Sequence, residues 1–270
     1  MKIAIIGGGG QMGAWFARFL SEKGHEVVIS GRNSRKCRMV ERQCPVSVAR
    51  DNIAAVDGAE LVIISVLLQD FEGVVKEIAP HLGIGQKVID ITSVKAVPVE
   101  IMHSNIKGAT VLGTHPVFGP SSSGKGENFV LTPTNEEERR FAGKLGSRLT
   151  MMGFNVVQVT PEEHDEAMNI ILGLTHFVAF ATADAWSRMH IMKYMGLSGP
   201  SFRKLKSFVD DIISSDPNFY SYLQTSLHGL GGLEDTFAES AGKIAKLVKD
   251  GKQKELMEHI RSLSDSAYSK

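Results

Sequence analysis

The chain has few cysteines, no net charge and no long apolar run, and each of these features narrows the class of protein. Only two of its 270 residues are cysteines, Cys37 and Cys44, and they show neither metal-ligand nor disulfide-framework spacing. Thirty basic side chains balance thirty acidic ones, so the chain lacks the electrostatic footprint of a nucleic-acid-binding protein. Apolar runs stay short of the roughly eighteen residues of a membrane span, and no signal peptide is recognisable. We therefore expect a cytoplasmic protein without membrane, nucleic-acid or metal partners.

The first part of the chain alternates β-branched runs with helical patterns. This alternation is typical of βαβ units and predicts an α/β fold, a doubly wound and mostly parallel sheet, over residues 1–160. The predicted strands lie at 2–7, 26–31, 59–66, 87–93, 110–116, 128–133 and 155–160.

After Thr160 the pattern changes to helices alone. A long, largely apolar helical pattern opens at Pro161, a residue that suits the first turn of a helix. Later helices are predicted to begin near Ser201, Asn218 and Leu233. Residues 161–270 are therefore predicted to form an all-helical domain for substrate binding and dimerisation. The dimer is expected because the long apolar helix has more hydrophobic positions than a small sheet covers.

A glycine motif marks the first strand-to-helix turn. Gly8, Gly10 and Gly13 fit G-x-G-x-x-G directly after the first strand. Such glycines allow a sharp bend, close approach of the backbone to a pyrophosphate, and tight packing of helix on strand. Together with Gln11 and Met12, they predict a Rossmann-type dinucleotide site with the phosphates at the helix N-terminus.

The second strand lacks the acidic residue that accepts hydrogen bonds from the ribose 2′-hydroxyl in NAD sites. It ends instead in "SGRNSRK". Arg32 is placed to stack on adenine and pair with a phosphate, and Asn33 and Ser34 are able to donate to phosphate oxygens. The sequence therefore favours NADP as the cofactor, with NAD as the alternative.

Three later segments carry polar groups suited to catalysis. Ser93 and His115 are predicted to lie just beyond strand ends, at the edge where parallel sheets bind ligands. A histidine there is able to take a hydroxyl proton as hydride leaves the same carbon. His176 lies in an apolar helical pattern, where a histidine is as often a core residue as a functional one.

The segments "GGGGQMG", "ITSVK", "HPVFGP", "EEHDEAM", "GLTHF" and "SDPNFYSYL" occur in an order and spacing that resembles the prephenate dehydrogenases of tyrosine biosynthesis. The resemblance covers nearly the whole chain. It implies oxidative decarboxylation of prephenate to 4-hydroxyphenylpyruvate with a nicotinamide cofactor, for which the basic segment favours NADP, and a Rossmann domain followed by a helical domain that forms a homodimer. The reaction that the resemblance implies requires no metal.

The same resemblance implies roles for individual residues. His115 would be the catalytic histidine hydrogen-bonded to the C4 hydroxyl of the substrate ring, and Ser93 would help to hold it. His176, Arg203 and Lys95 would bind substrate.

One segment departs from the family pattern. A second carboxylate-binding arginine is expected after Arg203, but Asp210 and Asp211 occupy that region, so Lys206 or another cation would have to replace it. A related cyclohexadienyl acid, arogenate or 4-amino-4-deoxyprephenate, is therefore an alternative substrate. A catalytically silent NADP-binding regulator of the same fold is a further alternative. β-Hydroxyacid dehydrogenases are disfavoured, because "MNIILGLTHF" lacks their G-x-G-x-x-x-K lysine.

Overall fold

The computed structural model describes residues 1–226 and 232–267. They form two compact units. The first contains Met1–Asn169 and the segment that begins at Ser215, and the second contains Ile170–Ser214 and the described residues from Gly232 onward. The sequence predicts separate domains at 1–160 and 161–270, and this division stays a prediction.

The first unit is built on one eight-stranded sheet, as predicted for an α/β fold. Its order is β3-β2-β1-β4-β5-β6-β7-β8, and all neighbouring strands are parallel except β6 and β7. The seven predicted strands are confirmed, and only the two-residue β3 was not predicted. The strands are β1 Lys2–Ile6, β2 Glu26–Ser30, β3 Ser47–Val48, β4 Leu61–Ile64, β5 Lys87–Asp90, β6 Thr110–Pro116, β7 Asn128–Thr132 and β8 Asn155–Gln158.

Helices cover both faces of this sheet and create two buried cores. One core gathers aromatic side chains, among them Trp15, Phe129 and Phe154, and the other is largely aliphatic around Phe71 and Met102. Burial of apolar surface on both faces is the main driving force for this arrangement. The helices are α1 Gln11–Glu22, α2 Ser34–Glu41, α3 Asn52–Val56, α4 Leu68–Ile78, α5 Ala96–Asn105, α6 Glu136–Met151 and α7 Pro161–Met168, with a 3₁₀ turn at Ala79–His81.

The helical part of the chain begins where the sequence predicts it. Thr160 caps α7 in a capping box with Glu163, and α7 runs through a π-helical turn, Asn169–Leu174, into α8. The later helices begin within one residue of the predicted positions. They are α8 Thr175–Met189, α9 Pro200–Ile213, α10 Pro217–Ser226, α11 Leu233–Lys249 and α12 Gln253–Ala267, with a 3₁₀ segment at Ile191–Leu197.

The continuous helical run Pro161–Met189 is unusually apolar. By length and composition alone it is able to cross a membrane, a property that it shares with core helices of soluble proteins. Only 28% of its most apolar window is buried within the chain. The expectation that the chain has no membrane partner therefore stays a prediction, and the run leaves apolar surface for another partner to cover.

Candidate active site

The glycine turn joins β1 to α1 with the geometry of a phosphate-binding loop. Gly7 has a φ of +86°, in the left-handed region that favours glycine, so the sharp bend falls one residue before the predicted Gly8. A Cβ at Gly13 would lie 2.4 Å from the carbonyl oxygen of Gly7, which explains the third glycine of the motif. The backbone N–H groups of Gln11, Met12 and Gly13 open α1 before its first internal hydrogen bond, from Ala14 to Gly10, and they carry the positive end of the helix dipole. These features fit a dinucleotide pyrophosphate.

The basic segment after β2 lies at the same edge of the sheet. Arg32, Asn33 and Ser34 are exposed, and the Asn33 side chain caps α2 by accepting a hydrogen bond from the N–H of Lys36 at 3.0 Å. The α2 N-terminus therefore adds a second partial positive charge. Arg32 is already engaged by an acid from another element, because its guanidinium donates two hydrogen bonds to the carboxylate of Asp70.

His115 lies within β6 rather than beyond its end, which corrects the prediction. The parallel register between β5 and β6 stops at Asp90 opposite Gly113, and His115 pairs with Val130 of the antiparallel β7. β6 continues beyond its pairing with β5 because it gains this second partner. His115 is only 5% exposed. Ser93 lies three residues after β5, as predicted, and is half-buried.

A chain of hydrogen bonds runs from His115 to the start of α5. Nδ1 of His115 lies 2.9 Å from Nε2 of His164, and Nδ1 of His164 lies 2.7 Å from Oδ1 of Asp165. The Asp165 carboxylate also accepts hydrogen bonds from the backbone N–H groups of Lys95 and Ala96, at 2.7 and 2.9 Å. α7 therefore holds the His115 ring through the hydrogen bond to His164, and it caps the start of α5 through Asp165.

This chain assigns the tautomers of both histidines. A carboxylate only accepts, so His164 donates from Nδ1 to Asp165 and presents Nε2 as an acceptor. His115 then donates from Nδ1 to His164, which leaves the lone pair on its own Nε2 for a substrate proton. The logic is that of an acid–histidine pair that orients a base.

The electrostatic environment keeps His115 neutral. Burial, followed by the electrostatic effects of His164 and Lys95, holds the pKa of His115 well below its usual value. An imidazole with a lowered pKa is unprotonated at neutral pH and is ready to accept a proton. The pKa of His176 is also lowered, because that side chain is buried.

Lys95 is placed differently from the expectation that it binds substrate. Its side chain is fully buried and forms an ion pair with Asp90. The ammonium also donates to Thr92 Oγ1 at 3.1 Å and to the carbonyl oxygen of Thr114 at 2.7 Å. These partners use its three donors, so it has none for a substrate carboxylate. Because Thr114 precedes His115, Lys95 is a positioning residue for the end of β6.

The remaining predicted substrate residues lie in the second unit. His176 on α8 is 9% exposed, and Arg203 on α9 is exposed and donates to the carbonyl oxygen of Ser198 at 2.5 Å. Lys206, proposed as a replacement cation, is paired with Asp210 at 2.5 Å one helical turn further on. Its charge is therefore partly neutralised before any substrate binds.

Asp165 and Asp90 are the residues that the sequence analysis missed, and His164 had no assigned role. A signal was present for two of them. Thr160, Pro161 and Glu163 define the start of α7, and His164 and Asp165 follow one turn later in the quoted "EEHDEAM" segment. That they face the end of β6 depends on packing of α7 against α5, which is a tertiary contact without a sequence pattern.

The sheet order, the glycine turn and the buried histidine chain define the class of dinucleotide-binding oxidoreductase folds. Comparison with known proteins identifies the family. Residues 16–158 match the nucleotide-binding domain of prephenate dehydrogenase, and residues 160–262 match the prephenate dehydrogenase dimerization domain. The chain therefore belongs to the prephenate dehydrogenase family.

Individual relatives agree with this assignment. The chain is 33% identical over 255 residues to the probable arogenate/prephenate dehydrogenase of Methanocaldococcus jannaschii, covering 93% of this chain and 57% of the relative. It is 28% identical over 222 residues to the T-protein of Haemophilus influenzae, covering 82% of this chain and 55% of that protein. The chain thus spans little more than half the length of these relatives.

Solved structures share the fold. Prephenate dehydrogenase from A. aeolicus, in complex with hydroxyphenyl propionate and NAD+, superposes with a TM-score of 0.78 at 22% identity, covering 99% of this chain and 97% of the other. Synechocystis arogenate dehydrogenase gives a TM-score of 0.74 at 22% identity, with 99% of each chain covered.

Proposed function

We propose that this protein oxidises and decarboxylates prephenate with a pyridine nucleotide, preferentially NADP, to give 4-hydroxyphenylpyruvate for tyrosine biosynthesis. The observation that carries the proposal is the buried chain from His115 through His164 to Asp165. It lies in the same unit as a glycine turn that fits a dinucleotide, in a member of the prephenate dehydrogenase family.

The residues present account for the proton in this reaction. A bound nicotinamide ring would supply the acceptor for the hydride that leaves C4 of the substrate. Nε2 of His115 takes the proton of the C4 hydroxyl as that oxygen becomes a carbonyl, and returns it to the aromatic hydroxyl after the C1 carboxylate has left as CO2. Donation from Nδ1 of His115 to His164, which Asp165 holds in turn, fixes the tautomer in which Nε2 of His115 is the acceptor. Ser93 holds the same hydroxyl.

The cofactor preference rests on the basic segment after β2. Arg32, Ser34 and the N-terminus of α2 offer positive charge and donors for a 2′-phosphate. The glycine turn, with Gln11 and Met12, holds the pyrophosphate in either cofactor. NAD remains the alternative, since the A. aeolicus structure contains NAD+.

Arogenate is the second candidate substrate, and one observation favours it. Lys206 is paired with Asp210 where the family carries an arginine for a substrate carboxylate. Arogenate keeps both carboxylates of prephenate but carries an ammonium group in place of the side-chain keto group, and a positive charge suits this acidic environment better than a neutral keto group does. Arg203 and His176 would bind the remaining polar groups of either ring substrate.

The proposed enzyme is a cytoplasmic homodimer, and features of the second unit support the dimer. Residues 160–262 match a dimerization domain, and large apolar side chains such as Leu197, Val248 and Ile260 are exposed in the single chain. A second copy that covers these residues would remove that apolar surface from water.

The test is an absorbance assay at 340 nm with prephenate and arogenate, each against NAD and NADP. Turnover with prephenate and a higher kcat/KM for NADP than for NAD are expected. Turnover with arogenate alone would establish the second candidate. Binding of NADP, measured by calorimetry, without turnover of prephenate, arogenate or 4-amino-4-deoxyprephenate would instead identify a silent regulator.

A further inference from the structure

The pair formed by Arg32 and Asp70 joins two parts of the cofactor-binding edge. The guanidinium meets the carboxylate with two parallel hydrogen bonds, Nη1 to Oδ1 at 3.1 Å and Nη2 to Oδ2 at 2.6 Å. This bidentate geometry is the strongest form of the arginine–carboxylate interaction. Both residues belong to the first unit.

The topology places this pair beside the glycine turn. β2 and β4 lie on opposite sides of β1, and all three are parallel, so their carboxyl ends meet at one edge. Arg32 follows β2, and Asp70 lies in the first turn of α4, which follows β4. The segment after β4 also contacts the turn itself, because a Cβ on Gly7 would lie 2.1 Å from the carbonyl oxygen of Ser65. The pair therefore connects the two strand ends that flank the turn.

The exposure of the pair argues against a mainly structural role. The side chain of Arg32 is 81% exposed and that of Asp70 is 25% exposed. Ion pairs of this exposure add little to folding stability, because water and salt screen the charges. The guanidinium is therefore free to exchange partners at small cost when an anion arrives.

We propose that Asp70 is a specificity-determining residue that limits the preference for NADP over NAD. This inference rests on the proposed dinucleotide-dependent function. Asp70 competes with a 2′-phosphate for Arg32 and repels that phosphate at close range. With NAD it remains paired, and its carboxylate is able to accept a hydrogen bond from the ribose 2′-hydroxyl. Asp70 thus supplies, from the β4 side, the acid that the sequence lacks after β2.

The test measures binding of the adenosine half alone, using 2′,5′-ADP and 5′-AMP as calorimetric probes. We expect Asp70→Asn to tighten 2′,5′-ADP binding by about threefold to tenfold, from relief of repulsion between the carboxylate and the phosphate in a screened environment. Binding of 5′-AMP should stay the same or weaken. The same shift should appear in the ratio of Kd values for NADP and NAD, and Asp70→Ser provides a second variant.

The matched control is Glu72→Gln. Glu72 lies on the same helix and pairs with Lys76 at 2.7 Å, so its loss changes the net charge equally without touching Arg32. The control should leave the ratio of the two affinities unchanged.

Three outcomes separate the possibilities. An unchanged ratio in both Asp70 variants, with weaker 2′,5′-ADP binding in Arg32→Ala, would overturn the role of Asp70 and leave the proposed function intact. An equal shift in Glu72→Gln would also overturn it, as an effect of net charge. If the folded wild-type protein bound neither NADP nor NAD, the proposed function itself would fail.

Discussion

The two units of the chain differ in how completely they bury their own apolar side chains. In the first unit, four of the five residues of β1 are buried, and helices cover both faces of the sheet. In the second unit, α11 has seventeen residues and none of them is buried within the chain. The first unit completes its own core, whereas the second exposes apolar side chains that a partner surface has to cover.

Buried polar side chains, like buried apolar ones, are concentrated in the first unit. The first unit buries Lys95, Asp90, His115 and His164, and each of these side chains has a hydrogen-bonding partner in the unit. Buried charges and rings of this kind are costly unless they are paired. The paired partners hold the His115 ring in place, which is what the proposed proton acceptor needs. The comparison leads to four predictions.

The largest expected effect is on chemistry in the first unit. His115→Asn should lower kcat by about a hundredfold to ten-thousandfold, because the amide keeps a hydrogen bond but does not accept the proton. The pH profile tests the same residue. Because the pKa of His115 is lowered, wild-type activity should be lost on acidification only below the usual histidine value of 6.5.

The control for this variant is 2′,5′-ADP binding, which should stay at the wild-type level. A normal kcat with an unchanged acid limb would contradict the role of His115. The proton acceptor would then have to be sought at His164 or His176, because the buried ammonium of Lys95 is already engaged by Asp90, Thr92 and Thr114.

A large loss of stability should follow from breaking the buried ion pair. Lys95→Met leaves Asp90 charged and without its ammonium partner in the interior, which typically costs about 3–5 kcal/mol. Urea denaturation measures the free energy of unfolding. Lys76→Met is the matched control, because Lys76 forms an exposed pair with Glu72, and its loss should cost at most about 1 kcal/mol. Equal losses of stability in the two variants would show that the buried Lys95–Asp90 pair contributes no more to folding than the exposed pair does.

The next effect concerns Asp165, which acts through His164. Asp165→Asn should lower kcat by roughly tenfold to a hundredfold, by analogy with the loss of a group that orients a metal-ligating histidine. The acid limb of the profile should move as well, because His164 loses the negative charge that fixes its tautomer. A purely structural role at the start of α5 would reduce thermal stability and leave the pH profile of the remaining activity unchanged.

The sequence predicted the strands and helices because their signals are local. Alternating apolar runs, the glycine turn and the capping residues around Pro161 are all read from neighbouring positions. His115 and Ser93 could be placed near the sheet edge for the same reason. The roles of Asp165, Lys95 and Asp70 could not be predicted, because each depends on a partner from another element, which lies 70, 19 and 38 residues away in the chain, respectively. Lys95 shows this most clearly: its motif was recognised, but only packing shows that its ammonium is buried.

The smallest expected effect on the first unit comes from changing the second. Val248→Glu places a carboxylate at a position that is 62% exposed in the single chain, so it should alter the stability of the isolated fold by about 0.5 kcal/mol or less. If a second copy covers this position, the same charge becomes buried without a partner, and the dimer should dissociate. Light scattering over a dilution series is the measurement.

Lys249→Glu is the control, because it adds a carboxylate one residue further along α11, roughly 100° around the helix and away from Val248. Dissociation of the dimer by Val248→Glu but not by Lys249→Glu would support the difference between the two units, because a substitution in the second unit would then leave folding unchanged and prevent assembly. A wild-type monomer at micromolar concentration would remove the contrast. The exposed apolar residues of α11 and α12 would then need a different partner. The helical run Pro161–Met189, which also has uncovered apolar surface, would be the next segment to test for binding to such a partner.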